Sequence, residues 1–416
     1  MALQVHKFVF LLIIVGLSYS SLLCCGRNIH GYTDDPIIIR RGLRAVNQKT
    51  FNVDDYGAQG DGSADDTKAF EKAWKEACSS SGAVFLVPGN KNYVLKPITF
   101  SGPCNSPINI QISGNILAWE DRSAYDSRHW LVFKKINNIR VQGGGVIDGN
   151  GKIWWQNSCK VDKTKPCKSA PTALVFNDCE NLVVNNLNIQ NAQQMHLSFN
   201  GCNLVKASGL TITSPEDSPN TDGIHITSTK NIQVTSSSIG TGDDCISIET
   251  GSQSVRAMDI TCGPGHGISI GSLGDKESKA HVSDITVNGA NLTKTTNGVR
   301  IKTWQGGSGV ASNIIFQNIH FSDVKNPIII DQQYCDQDTP CKKQASAVQI
   351  RNVLYQNITG TSVSKNAVVF DCSETHPCQG ITMQNVEIES SEGDETAQAR
   401  CDNVKLSKIE DVSPHC

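Results

Sequence analysis

Two adjacent carboxylates, Asp243 and Asp244, lie between glycines and an apolar, strand-like run in the segment GTGDDCISI, residues 240–248. A third, Asp222, precedes Asp244 by 22 residues, and His266, inside the segment GPGHG, follows Asp244 by the same number. Two carboxylates held close together cannot ionise independently, so one pKa rises and the other falls. Acid hydrolysis of a glycosidic bond needs such a pair, because one carboxyl donates a proton to the leaving oxygen while the other takes a proton from water.

Clustered carboxylates have two other common uses. They bind Ca²⁺, which prefers oxygen ligands, but the imidazole of His266 is a poor partner for that ion. Asp residues after glycine also form turns and caps, a use that does not explain a regular 22-residue spacing. We therefore predict a catalytic site that uses no metal ion and no other cofactor.

Short strands in a repeat must position these side chains. The segments ENLVVNNLNI, CNLVKASGLTI and KNIQVTSSSI each open on polar residues with an asparagine and continue as an alternating run, and successive opening asparagines are 22 and 28 residues apart. This period predicts an all-β, single-domain parallel β-helix in which each repeat is one coil. The alternative, an antiparallel sandwich, needs tight turns between paired runs and fits the rhythm less well. On successive coils Asp222, Asp244 and His266 would stack in one column, roughly 4.8 Å apart.

One segment has the period of an α-helix instead. In GDGSADDTKAFEKAWKEAC, residues 60–78, acidic residues and Thr67 occupy positions typical of helix caps, and apolar residues follow at i, i+4 spacing. The apolar stripe consists of Ala69, Phe70, Ala73, Trp74 and Ala77. We expect this helix to cap an apolar end of the solenoid.

Two cations in the segment GVRIKTW could bind an anion. Arg300 and Lys302 are two residues apart, so both side chains point to one face of a strand. Arginine can hold a carboxylate through two parallel hydrogen bonds, and lysine supplies a point charge. A solvated strand face would explain this pair alone. Beside three aspartates and a histidine, the pair favours a receptor for an anionic sugar.

The overall charge restricts the partners. The chain has 37 Lys and Arg against 40 Asp and Glu, a net charge of −3. A general basic surface is therefore absent from the sequence, which argues against nucleic acid as a partner. An anionic substrate must be bound by a few placed cations.

The first residues predict the compartment. Lys7 precedes FVFLLIIVGL and a group of small residues, which is the order of a secretory signal peptide and too short for a membrane span. We interpret residues 1–25 as a signal peptide, 26–50 as an arm or pro-segment, and 51–416 as the catalytic β-helix. The mature chain is expected to be secreted, with no membrane partner.

The cysteines agree with an oxidising destination. Of sixteen, Cys24 and Cys25 fall beside the signal peptide, and no CxxC spacing of a zinc site occurs among the other fourteen. Asn291 and Asn357 begin glycosylation sequons, which suit a secreted chain. We predict that the fourteen cysteines are largely paired. The predicted small-loop pairs are Cys159–Cys167, Cys335–Cys341, Cys372–Cys378 and Cys401–Cys416.

The motifs NTDGIHI (residues 220–226), GTGDDCISI, GPGHGISIG and RIK, in this order and spacing, resemble the four motifs of the plant polygalacturonases in glycoside hydrolase family 28. The resemblance covers roughly residues 50–416 and includes FNVDDYGAQGDG and GVIDGNG. It implies a right-handed parallel β-helix that hydrolyses α-1,4-linked galacturonan (homogalacturonan, de-esterified pectin) inside the chain with inversion. A monomeric enzyme of the plant cell wall is expected.

The resemblance also implies roles for the site residues. Asp243 would be the general acid, and Asp222 and Asp244 would activate the water. His266 would influence the protonation of the acid.

Further residues would contact the substrate. By the same resemblance, Arg300 and Lys302 would bind the galacturonate carboxylate. Tyr334, in IIIDQQYC, matches a site tyrosine of the family, although an ordinary aromatic at a strand end would look the same. His196 and His225 could line the cleft, but histidines at such positions are more often structural.

Three alternatives remain open from the sequence. A pectate lyase on the same fold would use Ca²⁺ and an arginine base, and the adjacent aspartates with His266 argue for hydrolysis instead. A non-catalytic wall-binding protein would be favoured had any of the three aspartates been replaced. Exo action, which releases monomers from a chain end, depends on loops that close the cleft.

Overall fold

The computed structural model describes residues 48–337, 339–391 and 396–416. These residues belong to one compact unit, Val46–Cys416. The predicted signal peptide and most of the predicted arm, up to residue 47, lie outside the described residues.

The described residues form thirty strands. The first ten are β1 (Thr50–Asn52), β2 (Asp61–Asp65), β3 (Ala83–Val87), β4 (Asn92–Leu95), β5 (Ile98–Ser101), β6 (Ile108–Ile112), β7 (Asn115–Ala118), β8 (His129–Lys134), β9 (Asn137–Gln142) and β10 (Val146–Asp148). The next ten are β11 (Thr172–Asn177), β12 (Glu180–Asn185), β13 (Asn188–Gln190), β14 (Leu197–Asn200), β15 (Asn203–Ser208), β16 (Thr211–Thr213), β17 (Ile224–Thr227), β18 (Lys230–Gly240), β19 (Ile246–Ile248) and β20 (Gln253–Cys262). The last ten are β21 (Ile268–Leu273), β22 (Lys279–Thr293), β23 (Asn297–Trp304), β24 (Ser308–Val324), β25 (Asn326–Tyr334), β26 (Gln349–Ser362), β27 (Asn366–Asp371), β28 (Cys378–Ser390), β29 (Gln398–Asp402) and β30 (Val404–Ser413).

Helical structure is sparse in these residues. It comprises α1 (Thr67–Cys78), α2 (Lys152–Gln156) and short 3₁₀ turns at Val53–Tyr56, Arg122–Ala124 and Asp275–Glu277. None of the helices in the described part of the chain is both long and apolar enough to span a bilayer.

The strands pair in parallel, each with the equivalent strand one coil away. One sheet has eleven strands, β5, β8, β11, β14, β17, β19, β21, β23, β25, β27 and β29, and a second has nineteen. Strand β18 pairs with both β15 and β16, so two short strands of the earlier coils continue as one bent strand from this point. The predicted all-β fold, a right-handed parallel β-helix, is confirmed.

The core lies inside the coil and is built by strand alternation. Ile224, Ile246 and Ile268 stand in register on consecutive coils and are fully buried. Aromatic rings stack in the same way, since the ring centroids of Phe133 and Phe176 are 5.3 Å apart. Burying apolar surface at about 25 cal/mol per Å² makes this column the main source of stability. It also fixes which residues of each strand face outward.

The predicted helix is confirmed as α1. All five residues of its apolar stripe are buried, and the Trp74 indole packs edge-on against Phe85, Phe100 and Phe133. The helix contacts β1, β3 and β5, and so covers the first coil.

All four predicted small-loop disulfides are present, and two further bridges join Cys78 to Cys104 and Cys245 to Cys262. Cys179 and Cys202 are buried and unpaired. The Sγ of Cys202 lies 3.3 Å from the Phe176 carbonyl oxygen, just as the Thr229 hydroxyl donates to the Phe199 carbonyl at 3.2 Å one coil later. The two thiols therefore act as hydrogen-bond donors to backbone carbonyls at the turns between strands. This role explains why not all of the fourteen cysteines form disulfides.

Candidate active site

The candidate catalytic residues occupy one edge of the eleven-stranded sheet. Asp222, Asp244 and His266 each lie two residues before a strand, at the starts of β17, β19 and β21. These strands pair with a shift of 22 residues, because Ile224 pairs with Ile246 and Ile246 with Ile268. The 22-residue spacing in the sequence is thus the length of one coil.

Asp244 is the most deeply buried and most strongly paired of the carboxylates. Its side chain is 1% exposed. Its Oδ1 accepts hydrogen bonds from Ser269 Oγ (2.8 Å) and Arg300 Nη2 (2.8 Å), and its Oδ2 accepts one from Lys302 Nζ (2.9 Å). Two cationic side chains therefore pair with this one buried carboxylate.

Asp222 has the opposite environment. It is buried, and its Oδ2 accepts one hydrogen bond from Ser247 Oγ at 2.7 Å. Burial, reinforced by the negative charges of Asp243 and Asp244, raises the pKa of Asp222 well above its usual range. This environment therefore favours the protonated form of Asp222.

Asp243 and His266 form an ion pair at the open side of the site. The Nδ1 of His266 lies 2.9 Å from Asp243 Oδ1, and the two side chains are 40% and 16% exposed. Burial alone would raise the pKa of Asp243, but the hydrogen bond and charge of His266 outweigh it and lower that pKa. The same hydrogen bond raises the pKa of His266. The pair therefore holds one proton that the solvent and a bound ligand can reach.

Glycines explain why the chain can present His266 in this position. The backbone N–H of His266 donates to the Asp243 carbonyl at 2.8 Å, so the two corners approach closely. Gly267, with φ of +85°, comes so near to the next coil that a Cβ there would lie 2.0 Å from the Asn297 carbonyl oxygen. A side chain at this point would push the turn outward.

Arg300 stands in a column of outward-facing residues. His225, Ser247, Ser269 and Arg300 pair in register across four consecutive strands. The Nε of Arg300 donates to Ser269 Oγ at 3.0 Å, and this hydroxyl in turn donates to Asp244. The strand register thus places the guanidinium of Arg300 within hydrogen-bonding distance of Asp244.

Lys302 and Tyr334 extend the site to the next coils. The Nζ of Lys302 lies 5.4 Å from the centre of the Tyr334 ring, and Trp304 packs edge-on against the same ring at 5.2 Å. Burial would lower the pKa of Lys302, but the charge of Asp244 outweighs it and raises that pKa. The structure therefore brings all seven predicted catalytic and substrate-binding residues into one cluster.

The two remaining histidines support the cluster from behind. The ring nitrogens of buried His196 face the carbonyl oxygens of Asp222 and Thr213, at 3.0 and 3.2 Å. His225 Nδ1 donates to Ser247 Oγ at 2.9 Å, and that hydroxyl donates to Asp222. Burial lowers the pKa of each histidine to about 4, so both are neutral positioning groups.

Several functional neighbours were missed from the sequence. Ser247 and Ser269 each donate to a catalytic carboxylate, and Asn220 Nδ2 donates to Asp243 Oδ2 at 3.3 Å. The repeated ISI of the second and third motifs could have indicated the serines, because the middle residue of each triplet faces outward.

Glu249 is a further acid near the cluster, and burial raises its pKa to about 7. No sequence signal marked it.

The cluster has a partial likeness to a metal site. Asp243, Asp244 and His266 each direct one possible ligand atom to within 4.8 Å of the others. However, both oxygens of Asp244 already contact cationic side chains, and Nδ1 of His266 is paired with Asp243. This donor set therefore fits proton transfer better than a divalent ion.

The fold and site define a glycoside hydrolase, since three carboxylates, a histidine and two cations line one edge of a parallel β-helix. Residues 78–414 match the model of glycosyl hydrolases family 28, and the chain belongs to this family. It is 60% identical to a polygalacturonase of Malus domestica over 371 residues, 88% of this chain and 79% of that protein. It is 55% identical to polygalacturonase-2 of Solanum lycopersicum over 402 residues, 96% and 86% of the two chains.

Solved structures agree on the fold. An endo-xylogalacturonan hydrolase from Aspergillus tubingensis superposes with a TM-score of 0.75 at 23% identity, covering 86% of this chain and 99% of that chain. A polygalacturonase from Erwinia carotovora superposes with a TM-score of 0.70, also at 23% identity, covering 83% and 94%.

Proposed function

We propose that the protein is a secreted endo-polygalacturonase that hydrolyses α-1,4-galacturonosyl linkages of de-esterified pectin and loosens the plant cell wall. The contact of Arg300 and Lys302 with Asp244, at 2.8 and 2.9 Å, carries this proposal. It places two cations where the carboxylate of a bound uronate would lie beside the catalytic acids. Similarity to the Malus and Solanum polygalacturonases supports the same substrate.

The proposed acid is Asp243, working with His266. In the free protein the proton of this pair resides on His266, because the pKa of the carboxyl is lowered and that of the imidazole is raised. As the leaving oxygen develops charge, the proton moves from His266 Nδ1 to Asp243, and Asp243 donates it to that oxygen, which leaves His266 neutral. His266 thus acts on the leaving group through Asp243.

The proposed water-activating groups are Asp244 and Asp222. Asp244, whose two oxygens pair with Arg300 and Lys302, takes the proton of the attacking water. Asp222, with its raised pKa, holds that water by hydrogen bonding. One site thereby combines the proton donor and the proton acceptor that single-displacement hydrolysis requires.

Arg300 and Lys302 would neutralise the substrate carboxylate in addition to Asp244. Arg300 contacts Ser269 and Asp244 through Nε and Nη2, so Nη1 is available for a ligand oxygen. Tyr334 flanks the ammonium of Lys302 and would pack against the sugar.

The test is hydrolysis of polygalacturonate beside methyl-esterified pectin, followed by reducing-end release and viscosity. We expect rapid loss of viscosity on the free acid polymer and little activity on the ester, because the ester lacks the charge that the cations bind. Equal rates on both would contradict the carboxylate receptor. Slow loss of viscosity with monomer release would indicate exo action, and unsaturated ultraviolet-absorbing products would indicate elimination.

A further inference from the structure

A row of cations crosses the nineteen-stranded sheet, which is not the sheet that carries the catalytic residues. Arg140, Lys206 and Arg256 lie on β9, β15 and β20, and all three are exposed. They share one line of strand pairing, with Val183 and Gln233 on the coils between them. A cation therefore recurs on every second coil, at intervals of roughly 9.6 Å for a rise of about 4.8 Å per coil.

The protein does not neutralise this row. Within the described part of the chain, none of the three cations has an ion pair or a side-chain hydrogen bond. The flanking acids are Glu180, at the start of β12, and Asp284, whose carboxylate accepts hydrogen bonds from Asn313 and Ser283. The strand segments that form the face contain neither acidic nor aromatic residues; they are residues 138–142, 181–185, 204–208, 231–235 and 254–258. The charge of the row is therefore available to an anion.

The same face carries an exposed leucine in an unfavourable backbone conformation. Leu204 has φ of +57° and is 50% exposed. The equivalent positions on the neighbouring coils are Asn181 and Asn231, and asparagine adopts this left-handed conformation more readily. Packing inside the protein does not explain a leucine here. Its place two residues before Lys206 suits contact with the apolar face of a sugar ring.

Two cavities lie at the ends of the row. One, of about 340 Å³, has Arg140 and Val183 in its lining, and the other, of about 700 Å³, has Ser254 and Arg256. The face is therefore indented along the direction in which the cations recur, as an elongated ligand requires.

We propose that Arg140, Lys206 and Arg256 form a binding face for a linear polyuronate, outside the catalytic cleft. A pyranose ring is about as long as one coil is high, so the carboxylates of alternate units in an extended chain meet successive cations. Leu204 packs against a ring between them. Single-stranded nucleic acid is also a linear polyanion, but proteins commonly bind it by stacking its bases on aromatic side chains, which this face lacks.

Such a face tethers the protein to its polymer and leaves the cleft free to bind and cleave a linkage. A tether raises the local concentration of linkages without a new contact at the catalytic residues. Because the cations are exposed, salt should weaken this binding. That the polyuronate is de-esterified pectin rests on the proposed function.

The test is calorimetric titration of the full chain carrying Asp243→Asn, which keeps the polymer intact, with polygalacturonate and with a short oligogalacturonide. The row variant combines Arg140→Gln, Lys206→Gln and Arg256→Gln. It should raise the Kd for the polymer about tenfold at low salt, because each exposed ion pair contributes a few-fold, and less at high salt. The Kd for the short oligomer, which occupies the cleft, should not change.

Three further variants separate a spaced row from charge alone. Lys206→Gln combined with Gln233→Lys keeps the charge but moves it by one coil, and should bind the polymer as weakly as Lys206→Gln. Leu204→Asn should unfold at a higher urea concentration and yet bind the polymer more weakly. The matched control removes three exposed charges from α1 and should change neither Kd; it consists of Lys68→Gln, Lys72→Gln and Lys75→Gln.

Unchanged polymer binding by the row variant, an equal loss for the short oligomer, or full recovery by Gln233→Lys would overturn the spaced face. Equal competition by a single-stranded oligonucleotide of the same charge would overturn its assignment to a polyuronate. If Asp243→Asn does not fold, the row variant in the active protein gives the same answer as a raised KM for the polymer with kcat retained. The proposed function is judged separately by hydrolysis with the unmodified protein. Row-dependent binding without hydrolysis would uphold the face and refute the activity.

Discussion

Lys302 reaches Asp244 by passing directly over Gly271. The glycine stands on β21, one coil before Lys302 on β23, and a Cβ at Gly271 would lie 3.1 Å from Lys302 Cγ and 2.2 Å from its carbonyl oxygen. The absence of a side chain at Gly271 is therefore what allows the ammonium to contact a carboxylate two coils away, at 2.9 Å. Gly271 is a positioning residue of the site.

Gly271→Ala tests this relationship. We expect a loss of stability of roughly 1–3 kcal/mol from overpacking and backbone strain at φ of +112°, and a large loss of activity because Lys302 is displaced. Gly57→Ala is the matched control: its φ is +98°, but a Cβ there meets nothing within 4 Å. Gly57→Ala should lower the free energy of unfolding without lowering activity. Equal effects of the two substitutions on kcat/KM would contradict the proposal that Gly271 makes room for Lys302.

Removing Lys302 should affect folding as well as binding. The Lys302 and Asp244 side chains are 10% and 1% exposed. Lys302→Met therefore leaves a buried carboxylate with Arg300 as its remaining cationic partner. Breaking a buried pair typically costs about 3–5 kcal/mol, and the remaining guanidinium should reduce this to the lower end. Urea unfolding of Lys302→Met, Asp244→Asn and the double variant measures the coupling. Strictly additive losses would mean that the two side chains do not interact.

Glu249 should make stability depend on pH. Burial raises its pKa from 4.5 to about 7, against an opposing effect of Lys302. A raised carboxyl pKa contributes stability that is fully present below pH 4.5 and is lost as the pH rises through 7. Relative to Glu249→Gln, the wild type should therefore lose at most about 3 kcal/mol between these limits. Denaturant unfolding of both proteins at pH 4 and pH 8 checks the sign. A wild type that is equally stable or more stable relative to Glu249→Gln at pH 8 than at pH 4 would refute it.

The unpaired cysteines give a countable prediction. Thiol titration of the denatured, unreduced chain should find two thiols from residues 48–416, and the native protein should show neither, because Cys179 and Cys202 are buried. Cys202→Ser keeps a donor for the Phe176 carbonyl and should be more stable than Cys202→Ala. If the alanine variant is equally stable, the thiol does not act as a corner donor.

Periodic features were predictable from the sequence, and side-chain directions at the corners were not. The 22-residue spacing indicated the coil, and the stripe around Phe70 and Trp74 indicated the capping helix, because both follow from the repeat of buried positions. The spacing predicted a column of Asp222, Asp244 and His266, and only the family resemblance implied that His266 acts on Asp243, which its ring contacts. A corner residue does not alternate as a strand residue does, so register alone cannot say which of two adjacent carboxylates it meets.

Some disulfides were predictable from the sequence and others were not. Short loops such as Cys372–Cys378 bring their ends together by chain length alone, and these were predicted. The Cys245–Cys262 and Cys78–Cys104 bridges close loops of 17 and 26 residues. They depend on the coil path, which the spacing of cysteines does not give.

The stereochemistry of the products is decided by which carboxylate can reach the sugar. Oxygens of Asp243 and Asp244 approach within 4.8 Å of each other, whereas inverting enzymes commonly separate their carboxyls by about 6.5–9.5 Å and retaining enzymes by about 5–5.5 Å. The distance between these carboxylates alone would therefore predict that the anomeric configuration is retained. A covalent intermediate, however, requires a carboxylate oxygen that is free to attack the anomeric carbon.

Neither Asp222 nor Asp244 has a carboxylate oxygen that is free to attack the anomeric carbon. Both oxygens of Asp244 are hydrogen-bonded and its side chain is 1% exposed. The raised pKa of Asp222 favours its protonated form, which is a poor nucleophile. A water molecule can be polarised there, but a sugar carbon cannot approach. We therefore expect inversion, and proton NMR of the first-formed product should show a new β-anomer. Asp243→Asn should lower kcat by at least about a hundredfold, the scale of general acid catalysis. An α-anomer as first product would require a covalent intermediate and would overturn the roles of Asp222 and Asp244.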